Sequence, residues 1–307
     1  MSIKYVKNHD INYFRWDRCI SSSFNSLVYA YTWYLNTVCP RWDALIEDDY
    51  SAVMPLPLSR KYGINGIQTP CFTGQLGIFS SKLITSDKIN DFFKALPPNF
   101  KFVDITINKF NKIDSGRLNK SEKIHFEIDL IKAYEKINNS YSAELKEKLN
   151  ICKKNKLTFI RGLQPADLID FLSVSKQQPK NYCNEDNTKV LRMLINASLR
   201  YRFGELFGIY NKYNQLCCAG FFIWSQNRSI LLFYVISEEG KAENAFTFLI
   251  DRYIYTYNNR YITLTFDFTA DDSHVSILKE FGAIESRFQR ITLNKIPLLS
   301  FILNRSK

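Results

Sequence analysis

Histidine is scarce in this 307-residue chain: there are three, His9, His125 and His274, none at metal-ligand spacing, so a zinc centre is not expected. The seven cysteines (Cys19, Cys39, Cys71, Cys152, Cys183, Cys217, Cys218) include no C-x-x-C pair, and an odd number argues against a disulfide framework. They read as reduced thiols used as small apolar side chains. Long apolar runs are missing as well. Nothing approaches the ~20 residues a membrane-spanning helix needs, and Met1–Asp10 lacks the apolar core of a signal peptide. The expectation is a cytoplasmic protein without a transmembrane segment. Also absent are G-x-S-x-G, the P-loop and the Rossmann glycine pattern, which disfavours a serine nucleophile and nucleotide hydrolysis. No low-complexity tract appears.

What is present is a generous supply of core. Hydrophobic residues make up 46% of the chain, with 24 Phe and 18 Tyr among them, and the length suits two domains better than one. Charge is uneven: 41 Lys and Arg against 30 Asp and Glu give +11. Lys146, Lys148, Lys153, Lys154, Lys156 and Arg161 gather around one helix. Either that is a solvated basic face, or it meets an anionic partner such as a CoA phosphate, a nucleic acid or a membrane surface.

The stretch from Phe203 to Leu293 is the most legible. Glu205–Tyr210, Leu216–Trp224 and Ile230–Ile236 read as buried strands, followed by the polar turn Ser237–Asn244. In the next helix Phe246, Leu249, Ile250, Tyr253, Ile254 and Tyr257 form one stripe, with Thr247, Asp251, Arg252 and Asn258 off it. The alternating strand Tyr261–Phe268, a helix from Ser273 to Phe281 and the strand Phe288–Leu293 close the unit. Strand, turn, helix and strand make a βαβ unit with parallel strands, whose ligand belongs at the strand's carboxyl end over the turn.

Upstream, helices are expected at Trp16–Ser22 and Asn25–Thr37, then strands at Ala44–Ile46 and Ser51–Leu58, the latter an edge or bulge because of its prolines. Gly66–Phe79 reads as an interrupted strand with close backbone approach. A helix at Asp87–Ala95 and strands at Phe102–Ile107 and His125–Asp129 follow. The order strand, strand, strand, helix, strand occurs in Ala44–Ile107 and again in Glu205–Phe268, which suggests two copies of one fold. The expected division is a domain over 1–130 and another over 131–307, with 131–156 a helical connector.

This order of elements resembles the GNAT acyltransferase fold, and the doubling resembles the Fem-type peptidyltransferases. Tyr141-Ser-Ala-Glu-Leu-Lys-Glu-Lys-Leu-Asn-Ile-Cys-Lys-Lys-Asn-Lys-Leu157 is similar to the segment that leads into their second domain. Thr265-Phe-Asp-Phe268 with Glu280-Phe-Gly-Ala283 resembles a later one, and Trp42–Pro57 with Gln75–Phe79 resembles first-domain strands of uncharacterised bacterial relatives. The resemblance implies an α/β protein of two tandem GNAT-like domains, each a mixed twisted sheet flanked by helices.

It also implies a site. Where GNAT enzymes wrap the CoA pyrophosphate with a glycine-rich turn, this chain has Glu238-Glu-Gly-Lys-Ala-Glu-Asn-Ala245, so Gly240 and Ala242 take the glycine positions and Lys241 adds charge. Asn244 completes the turn, while Glu238, Glu239 and Glu243 oppose a pyrophosphate. A backbone amide near Tyr234 and Val235 would serve the oxyanion. Asp267 is the candidate carboxylate at the end of a central strand, with a helix cap or loop hydrogen bond as its ordinary role. Tyr234 is either a site hydroxyl or a core tyrosine. Ser273 and His274 follow the fifth strand, where relatives place a proton donor; their ordinary roles are helix N-cap and surface residue.

The resulting expectation is an N-acyltransferase moving an acyl group from an acyl-CoA co-substrate to an amine acceptor by direct transfer, without a metal. Its rivals are a Fem-like enzyme using charged tRNA, which the basic balance favours, and a degenerate tandem domain that only binds a partner.

Overall fold

The structure, a computed structural model, describes residues 2–61, 63–113, 118–175, 185–267 and 272–295. The chain divides into two compact units, Met1–Ile124 with Arg287–Lys307, and His125–Ser286.

The first unit contains β1 (Ile3–Val6), α1 (Tyr13–Ser22), α2 (Thr32–Val38), β2 (Trp42–Glu47), β3 (Ala52–Lys61), β4 (Ile64–Gln68), β5 (Phe79–Ser80), α3 (Ser86–Lys94) and β6 (Phe102–Ile107). The helix expected from Asn25 begins only at Thr32. Asp17 accepts from the Thr32 amide at 2.9 Å and from its hydroxyl at 2.7 Å, supplying an acceptor that a first-turn amide lacks within its own helix. Asn25 instead gives its side-chain amide to Ile78 O at 2.8 Å. The prolines of β3 sit at a local edge. β2 pairs along one side of the strand, but the other side is taken by β5 at Ala52–Val53 and by β4 only from Leu58, leaving Pro55 and Pro57 where no ladder donor is needed on that side.

β7 (Asn119–Asp129) crosses into the second unit, which continues with α4 (Tyr134–Asn139), α5 (Ala143–Lys154), β8 (Thr158–Arg161), α6 (Pro165–Val174) and α7 (Glu185–Arg200). Then come β9 (Gly204–Tyr210), β10 (Leu216–Ser225), β11 (Arg228–Ile236), α8 (Glu238–Ala242), α9 (Ala245–Tyr257), β12 (Thr263–Phe266), α10 (Asp272–Glu280) and β13 (Ile284–Asn294).

The strand order in the first unit is β1-β2-β3-β4-β6-β13, and in the second β8-β9-β10-β11-β12-β7. Both follow one scheme: antiparallel up to β4 or β11, parallel at β4–β6 or β11–β12, then antiparallel again. The repeat suggested by element order is therefore a repeat of pairing. It carries an exchange. The strand after β6 completes the second unit, Phe126 opposite Phe266, while the strand after β12 completes the first, Leu293 opposite Val103. The sequence reading has Phe288–Leu293 close the second copy; instead it pairs with β6, because strand periodicity identifies a face and not a partner.

α9 is buried almost all round. Its expected stripe packs on the sheet, with Tyr253 stacked on Phe222 at 3.8 Å between ring centroids. Thr247 and Asp251, off that stripe, are buried as well, each 1% exposed. The connector accounts for Asp251: Tyr134 of α4 donates to its carboxylate at 2.8 Å and Arg252 binds it at 2.5 Å. α5 adds Leu145, Leu149 and Cys152 to the same core.

Candidate functional site

The parallel pair β11–β12 is short. Its register runs from Arg228 opposite Thr263 to Ile230 opposite Thr265, after which Leu231–Ile236 continues beside β10 alone among the described strands. Opposite Phe221 stands Phe233 and opposite Phe222 stands Leu231, so Leu232 is the extra residue of a β-bulge. The bulge switches which side chains face α9: Leu231 before it, Tyr234 and Ile236 after it. The carboxyl half of β11 thus borders a slot at the end of the parallel pair, where ligands bind in open α/β sheets.

On the α9 face of this slot, the Tyr234 ring packs on Phe246 at 4.7 Å between centroids, and its hydroxyl lies 2.5 Å from His274 Nε2. His274, read from sequence as a surface residue, is half-buried and packs its ring on Phe246 at 5.2 Å. It sits on α10, which begins just after β12, so the two ends of the βαβ unit meet here.

Asp267 lies on the other face. Thr265 and Glu127 are opposite one another in the β12–β7 ladder, so Asp267 and His125 share their face, away from Phe126 and Phe266. His125 Nδ1 is 2.7 Å from Asp267 Oδ1 and its Nε2 is 3.4 Å from Glu127, which pairs with Arg228 at 3.4 Å. The side chains of His125 and Asp267 are 0% and 4% exposed. Asp267 is therefore one member of a polar row with His125, Glu127 and Arg228 across β12, β7 and β11. His125 escaped the sequence reading, although the alternation His125-Phe-Glu-Ile-Asp129 already put His125, Glu127 and Asp129 on one face. Asp267 and Tyr234 share the end of the sheet but not a face.

The turn after β11 is a short helix. Ser237 caps it by accepting from the Gly240 amide at 3.0 Å, and Lys241, Glu243 and Asn244 donate to Ser237 O, Glu239 O and Lys241 O. Those amides are already committed within the chain. Gly240 is buried, and a Cβ there would stand 2.2 Å from Cys217 O. Its smallness lets α8 lie on β10. Lys241 is exposed and pairs with Glu238 at 3.7 Å; Ala242 is exposed; Asn244 takes a left-handed turn at φ 60° just ahead of α9. Val235 is buried in β11 opposite Ala219. The side chain of Ser273, the second residue of α10, lies outside the described residues, as do Phe268 to Asp271.

Glu243 turns its carboxylate inward, with Oε2 buried and without a hydrogen-bond donor among the described residues. Burial, together with this charge, pushes the Cys152 and Cys217 thiols up to about 12, so neither is a nucleophile near neutral pH.

The first unit has the same parallel pair, β4–β6, but its slot is filled. After β4 the chain returns beside β6, with the Leu76 amide on Thr106 O at 2.8 Å and the Asn108 amide on Leu76 O at 2.9 Å. Asn111 locks this return through Ile78 N at 2.6 Å and Ile78 O at 3.2 Å. Gly77, at φ +101°, leaves the room Asn111 needs, since a Cβ would stand 2.2 Å from its Oδ1. In the second unit no described residues return beside Leu231–Ile236 in this way.

Among these residues no helix is long and apolar enough to cross a membrane. No family model matches the sequence, and no curated protein matches it. Solved structures do match. FemX superposes with a TM-score of 0.66 at 13% identity, over 98% of this chain and 100% of its own. A tandem GNAT protein from the clavulanic acid biosynthesis pathway gives 0.57 at 11%, over 96% and 99%. L-PGS from Bacillus licheniformis gives 0.55 at 7%, over 94% and 93%. At these identities the likeness is one of fold. Each unit has the GNAT fold. The whole chain has the tandem, Fem-like form of it.

Proposed function

We propose that the chain is an N-acyltransferase that moves an acyl group from an acyl-CoA thioester to an amine by direct transfer, with the donor held by the second unit. The bulged half of β11 carries this reading, because no described strand lies beside it after Ile230, where the first unit fills the same place with its own chain. The Tyr234 amide, which the register turns away from β10 because the bonded pairs are Ser237 with Cys217 and Val235 with Ala219, is the donor for the oxygen that gains charge when the amine nitrogen attacks the carbonyl carbon. Tyr234 gives its proton to the departing sulfur as the carbon–sulfur bond breaks, and His274, 2.5 Å away, replaces it. Asp267, held by His125 at 2.7 Å, orients the acceptor amine and accepts its proton. Lys241 supplies an exposed cation near the turn, and Gly240, Ala242 and Asn244 shape the backbone there.

One observation favours a second reading, an aminoacyl group delivered by charged tRNA. The amides of Gly240, Lys241, Glu243 and Asn244 are already used, and the Glu243 carboxylate faces inward beside them, so a pyrophosphate meets fewer donors than in a glycine-rich turn. The basic balance of +11 suits RNA.

A thermal-shift series with CoA, acetyl-CoA and long-chain acyl-CoAs at low salt tests the first reading. A thioester at about a hundred times its Kd adds ~2.7 kcal/mol and raises Tm by several degrees. If the protein melts cooperatively and none of them shifts it, the CoA donor is wrong. Charged tRNA that binds at low salt and is lost at moderate salt then identifies the other donor.

A further inference from the structure

Of the lysines clustered on α5, Lys148 is taken by Glu280 at 2.8 Å and by Glu144 at 3.2 Å, and is structural. Lys146 and Lys153 are not. With Asn150 they stand at i, i+4 and i+7 on one stripe, over a cavity of about 80 Å³ whose other walls come from α4 and α9. That is the space of two or three waters at ~30 Å³ each, enough for one small oxyanion and too little for a nucleotide. The one carboxylate in the wall, Asp251, is already neutralised by Arg252 at 2.5 Å and bonded by Tyr134 at 2.8 Å. Lys146 reaches only Asn139 O, at 3.3 Å, and the Lys153 ammonium has no acceptor among the described residues.

The cavity lies next to the turn described above. Cys152 donates to Glu243 O at 3.3 Å and to Asn244 O at 3.6 Å, which places the carboxyl end of α5 on the start of α9. Phe248, which lines the cavity, is one helical turn further along.

We propose that this cavity is a subsite for a phosphate monoester, held by the Lys146 and Lys153 ammonium groups with side-chain amides of Asn138 and Asn150. The binding chemistry stands by itself; its assignment to the acyl donor rests on the reading of the previous section. Two sources carry the group next to such a turn: the 3′-phosphate of CoA and the 5′-terminal phosphate of an RNA.

Calorimetric titration of the full chain at low salt, with inorganic phosphate, CoA and dephospho-CoA, tests it on the wild type and on the K146A/K153A double variant. Alanine is the best helix former, so α5 is kept, and a melt checks this. Inorganic phosphate is expected to bind the wild type and to bind the variant at least about tenfold more weakly, the loss of two charge-assisted contacts. CoA binding tighter than dephospho-CoA, with the difference gone in the variant, assigns the phosphate to CoA. Phosphate bound while neither CoA form binds upholds the subsite and removes the CoA donor. Phosphate that binds both proteins equally, or neither, overturns the proposal.

Discussion

Gly240→Ala separates two explanations for a glycine in the turn after β11. If Gly240 exists so that a phosphate can approach the backbone, alanine leaves the fold intact and weakens the donor. In a helical position it also gains ~1 kcal/mol of propensity, so Tm rises slightly. The structure says otherwise. A Cβ at this position stands 2.2 Å from Cys217 O, 3.0 Å from the carbon of that carbonyl and 3.0 Å from Ile236 Cγ1. The first neighbour is strand backbone and cannot swing away. α8 must therefore lift from β10, loosening the 3.0 Å bond from the Ser237 amide to Cys217 O. Overpacking of this kind costs roughly 1–3 kcal/mol. A clash with backbone belongs to the upper half of that range, roughly 2–3 kcal/mol, so less the helical gain the net is a destabilisation of about 1–2 kcal/mol, or a Tm lower by roughly 2–8 °C. Differential scanning fluorimetry on wild type, Gly240→Ala and Gly240→Ser, with serine lower still, gives the answer. An unchanged or raised Tm in the alanine variant refutes the packing explanation.

Tyr234→Phe removes the hydroxyl facing His274 and keeps the ring on Phe246; acyl transfer should fall by roughly 10–100-fold while stability drops by only about 1 kcal/mol, read from kcat and a urea midpoint. His125→Ala removes the imidazole hydrogen-bonded to the Asp267 carboxylate, a loss of about 1.5–3 kcal/mol in equilibrium unfolding; an unchanged midpoint would mean that this bond contributes nothing in solution. Stability should also fall at alkaline pH. Burial raises Cys19 to about 11, Cys152 and Cys217 to about 12, and Tyr134 to about 12, each above its unfolded value. The folded state therefore holds more protons, and the stability present below pH ~9 declines from there to ~12, a fall that Cys217→Ser should make shallower in urea melts at stepped pH.

Local periodicity carried the reading of the second unit a long way. Runs such as Leu216–Trp224 and Ile230–Ile236 could bury both faces only as central strands, and the stripe from Phe246 to Tyr257 could only be a helix lying on them. Two copies of one fold were visible because each copy repeats the same succession of periods. The ends of elements were less so. The helix expected from Asn25 depends on Asp17, fifteen positions earlier than Thr32, and β12 is the shorter Thr263–Phe266.

The candidate site divides along the same line. Asp267, Tyr234 and the turn at Gly240 could be found from the chain because they end strands of a βαβ unit, and that is a local property. Their partners could not. His125 meets Asp267 across 142 positions and His274 meets Tyr234 across 40, while Asp251 is buried because α4, 117 positions before it, supplies Tyr134. The order of residues thus determined the elements, their faces and the doubling, since each follows from spacing along the backbone. Which strand completes which sheet, whether a slot is filled by Asn111 and Leu76, and which lysines of α5 overlook a cavity were decided only by tertiary structure. Those outcomes depend on backbone and side-chain contacts between distant segments, which periodicity does not encode.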